Sequence, residues 1–320
     1  MGRIRIYVPG GLGNQLFAYF SALQFSLSTQ SKLIVYLDDV NYSHDRREFD
    51  ISSFNLLKTK INKKKFTNIK KIQRRLINGV KRRSKILKAA TEYTLGYLNQ
   101  GELDFFEPEI AKFDSSIKSI VNRPLFNTVN LYGYFQNCEF INKLNPELRK
   151  LQLSDPSEEF TKLKHDAIVK QPIMIHIRLA NYLHSPNFEK LGVLHPDYYQ
   201  LALDYVLVKF PGREIWIFSH SAENAKTLYP KIALFNTQVR YIEPKPTFDD
   251  PAESLILLTL GCAIICSNST FSLISTLINP NNRTVVVPKK LYRQSGTKQL
   301  NYLKNWHLIE NSWLQSKPNL

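Results

Sequence analysis

Cysteine is scarce in this chain: Cys138, Cys262 and Cys266 are the only three among 320 residues. That number builds no disulfide framework. Cys262 and Cys266 stand four apart in an apolar run and read as small buried hydrophobes rather than metal ligands. No apolar stretch reaches the ~18 residues of a membrane-spanning helix. The longest, residues 255–266, is interrupted by Gly261. The first residues read as a core strand with no apolar signal region, so the expected compartment is the cytoplasm. No Asp-x-Asp triplet occurs, and the pairs Asp38-Asp39 and Asp249-Asp250 are adjacent carboxylates rather than a spaced metal clamp. Nothing in the sequence calls for a metal or a cofactor.

Acidic residues are also missing over one long stretch. Between Asp50 and Glu92 there are none, while fourteen Lys and Arg fall there; without them the net charge of +16 drops to +2. The basic character is therefore local. Phe66, Ile69, Ile72, Leu76 and Val80 recur within the segment at helical spacing, the pattern of a basic amphipathic helix. Residues 58–88 suit the peripheral surface of an anionic membrane, at roughly 1 kcal/mol per basic residue held near the lipid. A solvated insertion over 58–90 is the alternative. Nucleic acid is the weaker fit, because base stacking needs aromatics and Phe66 is the single one in the segment.

What is present is a well-furnished core. The chain is 43% hydrophobic with abundant Phe and Tyr, which allows one large or two medium domains and excludes disorder. The start is the most informative part. A strand, residues 3–8, runs into Gly10-Gly11-Leu12-Gly13-Asn14-Gln15, and an apolar helical pattern follows to about residue 28. Glycines let backbone approach a ligand closely, and the helix start offers free N–H groups and partial positive charge. Asn14 and Gln15 bring amides suited to sugar hydroxyls. The turn is neither a dinucleotide fingerprint nor a P-loop, since no Gly-Lys-Ser/Thr follows. A plain βα turn with glycines for geometry remains the other reading.

Strands are expected at 3–8, 32–37, 129–135, 172–178, 214–218, 240–242, 262–266 and 284–288. Helices are expected at about 14–28, from 196, at 252–261 and at 271–278. Alternating strands and helices argue for parallel sheets. The turn-rich stretch Ser154 to Glu159 marks a boundary, giving domains 1–155 and 156–320. The fold class is α/β, two Rossmann-like domains with a cleft between them.

In the second domain polar residues recur where strands end: Arg178, Ser219-His220 and Ser267-Asn268-Ser269-Thr270. In a parallel sheet these share the ligand-binding edge. Arg178 suits a diphosphate gripped bidentately, or a surface ion pair. The Ser/Asn/Ser/Thr turn suits phosphate, or plain helix capping.

Taken together, GGLGNQLFAYFSAL (10–23), GYFQN (133–137), HIRLANY (176–182), HPDYY (195–199), WIFSHSAE (216–223), DPAESLILLTLGCAIICSNSTFS (250–272) and NPNNRTVVVPKK (279–290) resemble the bacterial α-1,2-fucosyltransferases, family 11 of the glycosyltransferases. The resemblance covers most of the chain, with residues 58–90 the least matched. It implies a GT-B arrangement with the acceptor on the N-terminal side. It implies metal-independent, inverting transfer of L-fucose from GDP-fucose to the 2-hydroxyl of a galactose-type acceptor in surface-glycan synthesis, such as O-antigen. Carried onto this chain, His176 and Arg178 form the His-x-Arg motif, with Asn181 beside them in the catalytic set. Gly11, Gly13, Asn14 and Gln15 line the cleft. Ser269, Thr270 and Phe271 cap phosphate and pack the nucleotide, while Ser219 and Glu253 lie near the guanosine. For the base, His184, Glu189, His195, Asp197, Asp38 and Asp39 are the candidates. A lipid-linked acceptor would explain membrane attachment through 58–88.

The family usually reads Gly-Asp where this chain has Ala180 and Asn181. Residues 272–277, Ser-Leu-Ile-Ser-Thr-Leu, replace a commonly Trp-rich run. Two alternatives follow: a relative using another nucleotide-linked deoxyhexose, or a non-catalytic nucleotide-sugar-binding protein.

Overall fold

The structure, a computed structural model, describes residues 2–8, 10–37, 50–56, 59–62, 97–99, 128–184, 186–230, 232, 238–248, 250–281, 283–294 and 300–318. The chain divides into two compact units: Met1–Ser52 with Leu56–Leu144, and Ser53–Asn55 with Asn145–Leu320. The sequence reading divides it at 155/156, but the chain enters the second unit at Asn145. Residues 145–153 are tied there by hydrogen bonds: Arg149 Nη1 donates to the Leu277 carbonyl at 2.8 Å, and Leu151 N to Asn279 Oδ1 at 2.8 Å. Phe54 pairs antiparallel with Leu153 and brings residues 53–55 along.

The first unit runs β1 (Arg3–Val8), α1 (Leu12–Ser28), β2 (Lys32–Leu37), β3 (Thr59–Asn62), β4 (Tyr97–Asn99), β5 (Thr128–Tyr132) and α2 (Cys138–Asn142). Its five strands lie in the order β3-β2-β1-β5-β4, all parallel. In β1, Ile4, Ile6 and Val8 are wholly buried, while Arg3 and Arg5 lie on the alternate face; this is the two-residue period of a strand. Helix α1 buries Leu16, Phe17, Phe20 and Leu23. Thr59–Asn62, the start of the basic stretch, is an edge strand paired with β2 and so part of the sheet, not an insertion. The helical pattern from Phe66 to Val80, and residues 63–90 generally, lie outside the described residues, as do Asp38, Asp39 and Asp249.

The second unit runs α3 (Glu158–Lys170), β6 (Ile173–His176), α4 (Asn187–Lys190), α5 (Pro196–Lys209), β7 (Ile215–Phe218), α6 (Ala222–Leu228), β8 (Val239–Ile242), α7 (Pro251–Leu258), β9 (Ala263–Ile265), α8 (Thr270–Ser275), β10 (Thr284–Pro288) and β11 (His307–Ile309). The order is β11-β10-β9-β6-β7-β8, again all parallel. Every residue of β6, β7 and β9 is buried, as expected of strands covered on both faces. The β9 approach passes so close to β6 that a Cβ at Gly261 would overlap the Pro172 carbonyl and Met174. Arg283 donates to the carbonyls of Leu258 and Ser275, at the C-terminal ends of α7 and α8, where a cation is favoured by the helix dipole. Burial lowers its pKa to about 10.

Candidate functional site

In a parallel sheet all strands deliver their C-terminal ends to one edge, and ligands bind where strand order reverses direction. The second sheet grows from β6 through β7 to β8 on one side, and from β9 through β10 to β11 on the other. Its switch point is between β6 and β9. The first sheet has the same plan: β2 and β3 follow β1 on one side, β5 and β4 occupy the other. Its switch point is between β1 and β5.

At the second switch point His176 ends β6 and Ser267 follows β9. His176 Nδ1 and Ser267 Oγ share a hydrogen bond of 2.7 Å. Both side chains are buried, and desolvation first, then the charge of Arg178, lowers the His176 pKa to about 3. The imidazole is therefore neutral at physiological pH. Phe271 packs on it with ring centroids 5.2 Å apart.

Arg178 emerges two residues beyond His176, half-buried. Its Nη2 donates to Asn181 Oδ1 at 2.6 Å, and its guanidinium lies 5.2 Å from the centre of the Tyr182 ring. Asn181 thus supplies the acceptor that an Asp would offer, without the charge. The Asn181 carbonyl accepts from Asn187 Nδ2 at 3.1 Å. This short turn, Ala180–Leu183, is pinned from below: Tyr182 Oη donates to the Asn268 carbonyl at 3.1 Å. Asn268 Nδ2 in turn donates to the carbonyls of Leu191 and Gly192 at 3.0 Å each.

The other predicted residues of this unit are distributed more widely. Ser269 caps α8, accepting from Phe271 N at 3.3 Å, so the capping reading of this turn holds alongside its position at the edge. Thr270 is half-exposed at the first turn of α8. Ser219 follows β7 and its Oγ faces Ser221 N at 3.5 Å. Glu253 is 3% exposed. Its Oε1 accepts from Ser157 N at 2.5 Å and its Oε2 from Ser157 Oγ at 2.9 Å, so both oxygens serve the start of α3. Of the base candidates, His195 and Asp197 engage each other, Nδ1 to Oδ2 3.2 Å, at the start of α5. His195 is the capping residue, accepting from Asp197 N. Glu189 Oε2 is 4.0 Å from Arg293 Nη2, and His184 is exposed.

In the first unit Gly10 takes the left-handed conformation, φ 66°, which is the position in this turn that needs glycine. Gly11 is the N-cap of α1 with extended backbone; its carbonyl accepts from Asn14 N at 2.9 Å and Gln15 N at 3.1 Å. Gly13 is buried in the first turn. Asn14 Oδ1 accepts from Gln136 Nε2 at 2.9 Å, joining the β1 turn to the β5 turn across the switch point. Gln15 is wholly buried. Its Nε2 donates to the Gly10 carbonyl at 2.8 Å, and its Oε1 accepts from Ile51 N at 3.0 Å; its amide braces the turn.

Tyr182, Tyr198 and Tyr199 also bond at the second unit's switch point, and Gln136 at the first unit's. Their motifs stand out in the sequence, but the bonds they make are long-range and carry no periodic signal.

Two all-parallel α/β units, each with polar side chains gathered at its switch point, are the Rossmann-like halves of a GT-B fold. The chain belongs to glycosyl transferase family 11, whose model matches residues 3–310. No curated protein matches the sequence at a significant level. Among solved structures, an Arg-to-Lys mutant of Arabidopsis thaliana FUT1 in complex with GDP is similar at TM-score 0.51 and 14% identity, covering 89% of this chain and 70% of that one. The POFUT1 apo-form is similar at TM-score 0.50 and 10% identity, covering 89% and 97%. NodZ alpha-1,6-fucosyltransferase soaked with GDP-fucose is similar at TM-score 0.47 and 14% identity, covering 88% and 94%.

Proposed function

We propose that the protein is an inverting fucosyltransferase that moves L-fucose from GDP-fucose to the 2-hydroxyl of a galactose-type acceptor in a surface glycan. Family membership across residues 3–310 carries this reading. The arrangement of Arg178 supports it. A guanidinium already oriented by Asn181 and Tyr182 is preorganised for a diphosphate. In the reaction the acceptor oxygen attacks the anomeric carbon opposite the departing GDP. The new glycosidic bond forms as the bond to the β-phosphate oxygen breaks, through an oxocarbenium-like transition state by analogy with glycoside hydrolysis. Negative charge grows on the leaving diphosphate, and Arg178 with the N–H groups of Ser269 and Thr270 offsets it without a metal.

His176 does not serve as the base in this scheme. With its pKa near 3 it is too weak to take the acceptor proton efficiently at neutral pH, and its part is to hold the switch point in shape. A loose, cation-like transition state needs little base assistance, and the acceptor hydroxyl gives up its proton late, to water, once the new C–O bond has largely formed. The first unit, with the Asn14–Gln136 amide pair, takes the acceptor side. The basic segment 58–88 holds the protein at the inner face of an anionic membrane, beside a lipid-linked acceptor.

Calorimetry with GDP, GDP-fucose and UDP, with and without a chelator, tests the donor. Binding of GDP and GDP-fucose but not UDP, unchanged by the chelator, is the expected result. GDP bound without GDP-fucose would give the protein a different deoxyhexose donor, and no binding at all would leave a non-catalytic relative. Transfer to a terminal galactoside, with the linkage read by NMR, tests the acceptor. Deletion of 63–88, which leaves β3 (Thr59–Asn62) in the sheet, is expected to abolish sedimentation with anionic vesicles; retained sedimentation overturns the membrane part.

A further inference from the structure

We propose that Tyr198 and Tyr199 are positioning residues for the site: their hydroxyls hold the strand-end carbonyls of Cys266 and His176 and thereby set how the two sides of the switch point face each other. Its bearing on catalysis rests on the function proposed above.

The β6–β9 ladder pairs Ile173 with Ala263, Met174 with Ile264 and Ile175 with Ile265, and stops there. The next residue on each strand is the one a tyrosine takes. Tyr198 Oη donates to the Cys266 carbonyl at 2.6 Å. Tyr199 Oη donates to the His176 carbonyl at 3.2 Å. The tyrosines therefore continue the tie between these strands where sheet pairing ends.

Helix geometry explains why adjacent residues do this. Consecutive side chains on a helix diverge by about 100°, and neighbouring strands lie about 4.8 Å apart. Two successive tyrosines at the start of α5 can thus reach two adjacent strands. Pro196 and the His195 cap fix that start. The rings brace each other edge to face, centroids 5.0 Å apart, and Tyr229 packs on Tyr199 at 4.9 Å. All three are about 1–2% exposed. Burial pushes the hydroxyls of Tyr198 and Tyr199 well above their ordinary pKa, so both stay protonated donors. Immediately beyond the two held carbonyls come the side chains that matter: His176 itself, Ser267 next to Cys266, and Arg178 two residues past His176.

Tyr229 is the internal control. Its hydroxyl donates to the Leu194 carbonyl at 3.0 Å, a loop residue and not a strand end. The test uses Tyr198→Phe, Tyr199→Phe and Tyr229→Phe in the full chain, with 15N-labelled histidine followed by NMR, thermal unfolding, and kcat and KM for GDP-fucose. His176 is assigned from its absence in His176→Gln. The first two variants are expected to shift the His176 ring resonances and to lower kcat about tenfold with KM little changed. Tyr229→Phe is expected to lose comparable thermal stability with both readouts at wild-type values. Histidine spectra and kcat unmoved in Tyr198→Phe and Tyr199→Phe, or moved equally in all three, would overturn the proposal. Should a Phe variant not fold, 3-fluorotyrosine incorporated at position 198 or 199 alone keeps that hydroxyl and strengthens it as a donor; shifted His176 resonances, absent when position 229 alone is labelled, then support the proposal and unshifted ones overturn it. A wild-type protein that fails to bind GDP-fucose sinks the functional reading and leaves the histidine spectra to decide this one.

Discussion

His176 and Ser267 are 91 positions apart in the chain and share a 2.7 Å hydrogen bond in the fold. The bond spans the place where the second sheet reverses its strand order. It joins a strand that begins the unit's sheet to a turn that opens α8, and both partners are buried.

Stability should depend on pH through His176. The unfolded imidazole binds its proton near 6.5, the folded one only near 3. Between these values the unfolded state holds more protons, so stability rises with pH and is lost as pH falls from 6.5 toward 3. The slope from this group is at most about 1.4 kcal/mol per pH unit. Urea unfolding of wild type and His176→Gln across this range checks it: the variant should lose that share of the slope.

Arg178→Lys should weaken GDP binding by about 10- to 100-fold, because a lysine keeps the charge but loses the planar fork. Calorimetry measures this. Affinity equal to wild type would remove Arg178 from the diphosphate.

Asn181→Ala removes the acceptor that orients Arg178 and should cost about 1–2 kcal/mol of donor binding. Asn181→Asp retains an acceptor and should keep GDP affinity within about threefold of wild type. A loss as large as that of the alanine variant would show that a neutral partner is required.

Glu253→Ala removes both carboxylate oxygens that accept from Ser157 N and Ser157 Oγ. Unfolding stability should fall by about 1–3 kcal/mol. The same samples titrated with GDP would reveal any guanosine contact as a separate loss of affinity.

Much of the fold is legible in the sequence because its central strands are continuous apolar runs. Ile173–His176, Ile215–Phe218 and Ala263–Ile265 are short, β-branched and bounded by polar turns, and they lie at the middle of the sheet. The edge strands are another matter. Thr59–Asn62 lies in a lysine-rich stretch and His307–Ile309 has a half-exposed pattern; edges are polar and short, so periodicity does not mark them. In the site, the polar residues after β6 and β9 are readable from parallel-sheet logic alone. The role of Gln15 is not: an amide beside a glycine turn looks the same in sequence whether it meets a ligand or, as here, the Gly10 carbonyl and the Ile51 amide. Glu253 repeats the lesson, since its partner Ser157 is 96 residues away.

The buried groups around the switch point are silent to protons across the neutral range. His176 gains its proton near 3, Cys266 gives one up only at about 12, and Tyr198 and Tyr199 hold theirs beyond the ordinary phenol range. An inflection in the rate between about pH 5 and 9 must then report some other group. The acid-base profile of turnover becomes a locator for whatever receives the acceptor's proton, read against a background that does not titrate.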